Sequence, residues 1–313
     1  MIAPRLPDAG SAQLEIEGRR LRLSSLDKVM WPAAGFSKGR MVEYYLRAAP
    51  ALVPHVAGRA MTLGRFPDGV ERPGFAQTEC RGRPDWMATH PLRLRTGEVR
   101  RYCGIRDAAS LAWVANLGTV ELHHFLAPAD RPHHPGVVAF DLDPGEGAAL
   151  SDCCRVALQL RVALEAAGLD GFAKTSGSRG LHVYVPVDAS NSYDRTRAFA
   201  RGLARRLATE LPQLVTDAAA RPARRGRVLV DWAQNHPRRS MVAAYSLRAA
   251  DWPTVSTPVG WNEIAGAADS SDPAALVFLA GDVIDRLDRV GDLFAPVLEL
   301  GQELPAQPGP GPG

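Results

Sequence analysis

Nine residues from the middle of the chain, Val137 to Gly145 (VVAFDLDPG), impose the first constraint: an apolar run ends in two aspartates one residue apart, and a Pro-Gly turn follows. A short apolar run bounded by a turn reads as a buried strand. Side chains at i and i+2 of a strand share a face, so Asp141 and Asp143 project together while Leu142 turns back to the core. Two carboxylates held this close repel, and one is driven towards its protonated form unless a cation lies between them. A divalent ion with oxygen ligands, most simply Mg²⁺ or Mn²⁺, resolves the conflict. Taken alone, the pair also fits a surface turn without any ion.

A second apolar run, Val228 to Trp232 (VLVDW), carries Asp231. An unpaired charge there would be costly, so Asp231 needs either a metal or one of the many arginines as partner. Three strand-borne carboxylates fit a two-metal centre, with ions about 3.5–4 Å apart, one activating an attacking hydroxyl and the other steadying the leaving oxygens. The third element is Thr175 to Val185 (TSGSRGLHVYV). Its Gly/Ser turn offers backbone N–H groups and hydroxyls as an anion-binding nest, Arg179 adds a charged fork, and a strand bearing His182 follows. A triphosphate suits that arrangement.

Taken in order, DLDPG, SGSRGLHVYVP, VDWAQN and YSLR resemble the polymerase domain of bacterial ATP-dependent DNA ligase D, the nonhomologous end-joining polymerases of the archaeo-eukaryotic primase superfamily. The resemblance runs from roughly residue 13 to 297. It implies an α+β primase-polymerase fold of mixed and antiparallel sheets flanked by helices. DNA-end contacts are expected in about 13–118, the catalytic core in about 119–250 and closing helices up to 297, with 1–12 an extension and the Pro/Gly-rich 298–313 a disordered tail.

The resemblance also implies roles for single residues. Asp141, Asp143 and Asp231 would be the catalytic metal ligands, and Ser176, Arg179 and His182 would hold the nucleotide phosphates. His123 (in VELHHF), Gln234 and Arg248 look like further nucleotide contacts, with His124 facing the other way. Lys28 and Lys38 fall where the family binds a DNA 5′-phosphate. Phe75 matches an aromatic at the template base, and Arg224 matches a residue of a loop that positions paired ends. Two positions depart from the pattern: Arg179 stands where relatives carry Lys, and Ala76 where a second aromatic is common.

The implied reaction is template-directed nucleotidyl transfer. A primer 3′-hydroxyl attacks the α-phosphate of an NTP or dNTP and pyrophosphate leaves, with two Mn²⁺ or Mg²⁺ ions bound and ribonucleotides preferred. The implied task is filling short gaps in break or excision repair. The expected partners are DNA with a gap or break bearing a 5′-phosphate, a separate DNA ligase and a Ku-type end binder.

Composition adds limits. The formal charge of the 313 residues is only +3, so a polyanion-binding surface must come from local clustering. Only three of the 37 basic residues are lysine, namely Lys28, Lys38 and Lys174, which marks each as a place where a compact cation serves better than a guanidinium fork. Cys80, Cys103, Cys153 and Cys154 form no CxxC pair and read as reduced thiols. With no signal-peptide core and no run approaching the ~20 apolar residues of a membrane span, the chain is expected in the cytoplasm, associated with the nucleoid and not with a membrane. None of the lysines precedes an x-Asp-Gly, so ligation is expected to be supplied separately, the chain reading as a stand-alone polymerase or an excised domain.

Two rivals remain at this point. FDLDPG also resembles the opening of haloacid dehalogenase-type phosphatases, although Pro144-Gly145 and the long preamble argue against that scheme. A non-catalytic DNA-end-binding module would use Lys28, Lys38 and the basic 221–227 loop, but leaves three carboxylates unexplained.

Periodicity predicts a hairpin around Glu17-Gly18, a helix capped by Ser37 that ends near Pro54, and an irregular stretch over 64–101. Helices follow at 107–117, 151–167, 193–209, 273–286 and 291–298, and strands at 120–125, 136–143, 181–187, 228–233 and 241–247. Trp31, Trp86, Trp113 and Trp232 read as packing residues, and His133 and His134 as solvated.

Overall fold

A computed structural model describes residues 6, 10–270, 272 and 274–305. The chain opens on a hairpin, β1 (Ser11–Ile16) and β2 (Arg19–Ser24), that turns at Glu17-Gly18 with both residues at positive φ. A ribbon of β3 (Val29–Trp31) and β4 (Phe36–Ser37) leads into α1 (Lys38–Val56). The Ser37 hydroxyl accepts the Arg40 N–H at 3.3 Å, and Met41, Tyr44, Tyr45, Ala48 and Leu52 bury one face. The helix continues past Pro54 to Val56, because the buried face outweighs the backbone bond each proline forfeits.

Two six-stranded sheets form the body. The first contains β5 (Met61–Arg65), β6 (Phe75–Gln77), β7 (Thr89–Arg93), β8 (Val99–Cys103) and β9 (Thr119–Phe125), with α2 (Ala108–Asn116) before the last of these. The second is built around β10 (Val137–Pro144), followed in sequence by α3 (Leu150–Glu165), β11 (Phe172–Thr175), β12 (Leu181–Pro186), α4 (Tyr193–Glu210), β13 (Val215–Thr216), α5 (Arg221–Arg224) and β14 (Val228–Asp231). Then β15 (Ser240–Val242) returns to pair with β9, β16 (Pro258–Val259) closes the β10 sheet, and α6 (Trp261–Asp269), α7 (Ala280–Val290) and α8 (Pro296–Glu299) follow. Sheet order around β10 is β13-β14-β10-β12-β11-β16.

The alternation of β10 decides where the site lies. Val138, Phe140 and Leu142 enter the core packed with α3 and α4, whereas Val137 and Ala139 enter the core shared with the first sheet. Asp141 and Asp143 continue the second series, so they emerge where the inter-sheet core ends. Past the end of β14, Asn235 takes over the neighbouring strand's job: its side chain accepts the Ala139 N–H at 2.9 Å and donates to the Ala139 carbonyl at 2.7 Å. β10 thereby keeps its backbone satisfied beside the site.

Several expectations need correction. The stretch 64–101 is not irregular: it holds most of three short strands, whose largely exposed side chains hide the alternation. The expected strand 241–247 stops at Val242, because the chain turns through Tyr245 at φ 66° with its carbonyl taken by the Tyr44 hydroxyl at 2.8 Å. The strand after 228 likewise stops at Asp231, whose carboxylate caps Ala233 N–H at 2.8 Å. The closing helices lie at 280–290 and 296–299, and α6 was not anticipated.

Cys80 and Cys103 are not free thiols. They form a disulfide, since the Cys80 N–H donates to the Arg101 carbonyl beside β8 and brings their Cα atoms to 4.8 Å. Cys153 and Cys154 are free and buried on α3. Ordered pairing begins at Ser11, inside the expected extension. In the expected tail, Leu304 is buried and Gln302 binds the backbone of Asp170 and Pro186, while 306–313 lie outside the described residues.

Two glycines carry the close approach of loops to β10. A Cβ on Gly180 would stand 2.2 Å from the Leu142 carbonyl oxygen, and one on Gly145 would stand 1.8 Å from that of Arg224. Gly180→Ala should therefore cost about 2–3 kcal/mol in chemical denaturation, the range of overpacking. A cost below about 0.5 kcal/mol would show that the loop yields freely.

Candidate active site

Register across four strands sets one row of side chains on one face: Asp231 on β14, Asp141 on β10, His182 on β12 and Lys174 on β11. His182 donates from Nε2 to Asp141 Oδ1 at 3.2 Å, and its Nδ1 accepts from Lys174 Nζ at 2.8 Å. Burial and Lys174 bring the His182 imidazole down to about 4, so it is neutral at pH 7, in keeping with those two roles. Lys174 is fully buried, donates also to Ser256 Oγ at 2.7 Å, and is pushed well below the usual lysine range by burial and then by Arg248. A compact amine fits that gap and a guanidinium does not, which accounts for one of the three lysines.

The carboxylates differ in state. Burial pushes Asp141 up, but His182, then Lys174 and Arg248, outweigh it and hold the group below its usual value. Asp143 is raised, by burial and then by Asp141, and Asp231 is raised by burial with Asp141 contributing. Gln234 donates its amide to Asp231 Oδ2 at 3.1 Å and Asp141 Oδ2 at 3.4 Å, bridging two carboxylates rather than reaching outward. Arg224, expected in a loop, lies on the short helix α5, with its guanidinium 3.6 Å from Asp143; its buried Nε has no partner.

Among the described residues, no three His, Cys, Asp or Glu side chains stand converged as a finished metal cage. The donor set nevertheless fits divalent cations: three carboxylates on adjacent strands supply hard oxygens, and burial, with repulsion from Asp141 added, raises two of them. A cation placed between them relieves that repulsion.

The phosphate loop is more self-contained than the sequence suggests. The Ser176 hydroxyl accepts the N–H groups of Ser178 at 3.2 Å and Gly180 at 3.1 Å, so it holds the turn in shape from a buried position. Arg179 is exposed at the tip. His182, expected at the phosphates, is instead buried behind Asp141.

Arg248 ties this loop to the other sheet. Its Nε donates to Glu121 at 2.9 Å and its Nη1 to the Ser176 carbonyl at 2.7 Å. Glu121 also meets His123 at 2.9 Å; burial raises its carboxyl, but His123 and Arg248 bring it down to about 2. Sequence reading missed Glu121 and Lys174; only the scarcity of lysine hinted at the second. Glu121, His123 and Phe75 line a cavity of about 380 Å³, with Phe75 half exposed and the Arg65 guanidinium 5.3 Å from its ring centroid. His124 points the other way, buried, as the alternation requires.

Lys28 and Lys38 lie together, the Lys38 N–H donating to the Lys28 carbonyl at 2.8 Å, and their ammonium groups are bonded to the carbonyls of Pro67 at 2.8 Å and Ser24 at 2.6 Å. Burial, with Lys28 and Arg65 nearby, lowers Lys38 to about 8.

The model of the LigD primase-polymerase domain matches residues 37–294. The chain belongs to that family. The multifunctional non-homologous end joining protein LigD of Mycolicibacterium smegmatis is 37% identical over 284 residues, which cover 89% of this chain and 36% of the relative. The bifunctional LigD of Bacillus subtilis is 25% identical over 276 residues, covering 88% and 44%. The polymerase domain of Mycobacterium tuberculosis ligase D, solved in complex with DNA, superposes with a TM-score of 0.83 at 32% identity, covering 90% of this chain and 99% of that one. The chain thus spans under half the length of these two curated relatives.

As a LigD primase-polymerase domain, the chain is an α+β nucleotidyltransferase, a class that works with divalent metal ions and nucleoside triphosphates. The phosphatase reading fails: β10 is antiparallel to both of its neighbours, where that scheme needs a parallel sheet. The enzyme family also sets aside the purely binding module. Among the described residues, no helix is long and apolar enough to cross a membrane.

Proposed function

We propose that this chain adds nucleotides, with ribonucleotides accepted, at short gaps and breaks in DNA that carry a 5′-phosphate. It would act in the cytoplasm on nucleoid DNA, with a separate ligase and a Ku-type end binder as partners. The observation that carries the reading is the row Asp231–Asp141–His182–Lys174 set beside the Ser176–Gly180 loop, with Lys28 and the buried Lys38 paired where α1 begins.

Asp141, Asp143 and Asp231 would hold two divalent ions, Mn²⁺ or Mg²⁺. Such ions, when bound, lower the pKa of an attacking hydroxyl and neutralise charge on the leaving oxygens. The protein's own part is positioning. His182 orients Asp141 while remaining neutral, and Gln234 spaces Asp141 from Asp231. Arg179, exposed at the loop tip, takes the triphosphate, and Arg248 fixes the loop against Glu121. The cavity beside His123 and Phe75 takes the ribose and the base pair being formed. Arg224, with its guanidinium 3.6 Å from Asp143, steers the primer terminus towards the carboxylates.

Lys38 gives the DNA-end assignment a pH signature. A phosphate dianion beside Lys38 raises its pKa from about 8, so binding takes up a proton and the benefit of a 5′-phosphate should fade as pH rises through 8 towards 9. Gapped DNA with and without the phosphate, titrated by anisotropy at several pH values, measures this. Lys28→Ala/Lys38→Ala should weaken the phosphorylated substrate about 10-fold or more and the unphosphorylated one little. Equal losses on both substrates would remove the 5′-phosphate from the account.

A further inference from the structure

Beyond the catalytic row, the turn that follows Asp231 carries its own cluster. Trp232 lies against α4, where the guanidinium carbons of Arg197 and Arg201 each stand 5.1 Å from its ring centroid. Arg238 and Arg239 follow on the same turn, and both are exposed. His236 links them: its Nδ1 accepts the Arg238 N–H at 3.2 Å, its carbonyl accepts the Arg239 N–H at 3.0 Å, and it lines one cavity with Arg197. Arg239 also reaches the catalytic Asp231 electrostatically.

The cluster carries no counterions of its own. Arg205, one turn further along α4, sits 3.8 Å from Asp217. Among the described residues, Arg197, Arg201, Arg238 and Arg239 have no carboxylate at ion-pair distance. Arg197 and Arg201 are four apart on one helix face, a like-charge arrangement that costs a few tenths of a kcal/mol in an isolated helix. Stacking on Trp232 holds the guanidinium planes in place while leaving their N–H edges free for anions. A cavity of about 260 Å³ opens between Arg197 and His236, with Asp194 as the acidic member of its rim.

Direction decides what such a surface can take. Within the β10 sheet, the phosphate loop and the Arg248 that holds it lie on the His182 and Lys174 side of Asp141, and β14 lies on its other side. A nucleotide on the first side leaves the β14 side for the strand that carries the 3′-hydroxyl.

We propose that Arg197 and Arg201 on Trp232, together with Arg238 and Arg239 beside His236, form a phosphate-tracking surface for the upstream primer duplex, gripping the backbone behind the 3′ end. The proposal rests on the gap-filling reading for the location of the 3′ end. It assigns sequence-independent backbone contact, since a row of guanidinium edges meets phosphates and not base edges.

The test is metal-free and nucleotide-free binding to gapped DNA whose upstream duplex is either about 3 or about 12 base pairs, the longer exceeding one helical turn. For wild type, the longer duplex should bind more tightly. Arg238→Gln/Arg239→Gln should lose about 10-fold in affinity for the longer duplex and little for the shorter. Its log–log salt slope should fall by about 2, as for two lost phosphate contacts. Arg197→Gln/Arg201→Gln should act alike, and Arg197→Lys/Arg201→Lys should retain most of the slope. Because Arg238 and Arg239 lie exposed on a turn, their variant reports even where the α4 variant unfolds. Losses equal for both duplex lengths, or none, would overturn the proposal. Wild-type extension of the same substrates is scored separately: its absence would count against gap filling, and leaves the length dependence of binding as an independent readout.

Discussion

Asn in place of Asp143 should cut nucleotidyl transfer by about 10³-fold or more, equivalent to roughly 4 kcal/mol of transition-state stabilisation, while raising the stability of the metal-free protein. The two effects share one origin. Burial and Asp141 raise the Asp143 carboxyl, so the charged form the reaction needs is the form the fold least favours. The linkage sign follows: a carboxyl with a raised folded-state pKa destabilises the fold increasingly as pH climbs past the ordinary value near 4. Metal-free wild type should therefore lose stability over that window, and Asp143→Asn should lose less. Asp141→Asn should be as inactive but should gain no stability, because Asp141 is held in its charged form by His182. Thermal unfolding with and without Mn²⁺ separates the pair. A gain in both variants, or in neither, would mean that the fold does not hold the two carboxylates in different states.

Arg248→Ala carries the second large effect. It removes a guanidinium that joins Glu121 on one sheet to the Ser176 carbonyl on the other, with both charged partners mostly buried. Breaking such a pair leaves the Glu121 carboxylate with only His123 and the Ala249 N–H, and partial solvent access places the cost at about 2–4 kcal/mol. The loop that Arg248 holds should loosen as well, so KM for the nucleotide should rise more than kcat falls. Acid stability reports the same link. Burial raises the Glu121 carboxyl, but His123 and Arg248 bring it to about 2, so its contribution is present above the ordinary value near 4.5 and is lost as pH falls towards 2. In Arg248→Ala that acid dependence should flatten. Adding Glu121→Gln should restore part of the stability and none of the nucleotide affinity. Restored affinity would make Arg248 a purely structural brace.

Legibility followed periodicity. VVAFDLDPG and VLVDW announced their strands and put the aspartates on the right face, because alternation in a well-buried strand leaves few other choices. What the motifs left open was pairing: nothing in the spacing says that Asp141 faces both Asp231 and His182 across neighbouring strands, and that register is what makes a row of them. Local turns misled most. The Ser176 loop looked like an open nest, yet its hydroxyl caps its own amides, and His182 points back to Asp141. Glu121 was invisible since a single acid in VELHHF carries no pattern, and its importance comes from Arg248, 127 residues away. The disulfide escaped for a similar reason: a separation of 23 residues becomes contact only through strands hidden in an Arg-rich stretch.

The most direct measurement is single-nucleotide addition on a gapped, 5′-phosphorylated duplex, with each of the four bases offered in turn against each template base, as NTP and as dNTP, in Mn²⁺ or Mg²⁺. Wild type should extend the primer by the complementary nucleotide only when divalent metal is present, and Asp141→Asn should not extend it. Wild-type protein that adds nothing under any of these conditions, or adds equally well in the Asp141→Asn variant, would contradict a metal-dependent, template-directed transfer at these carboxylates.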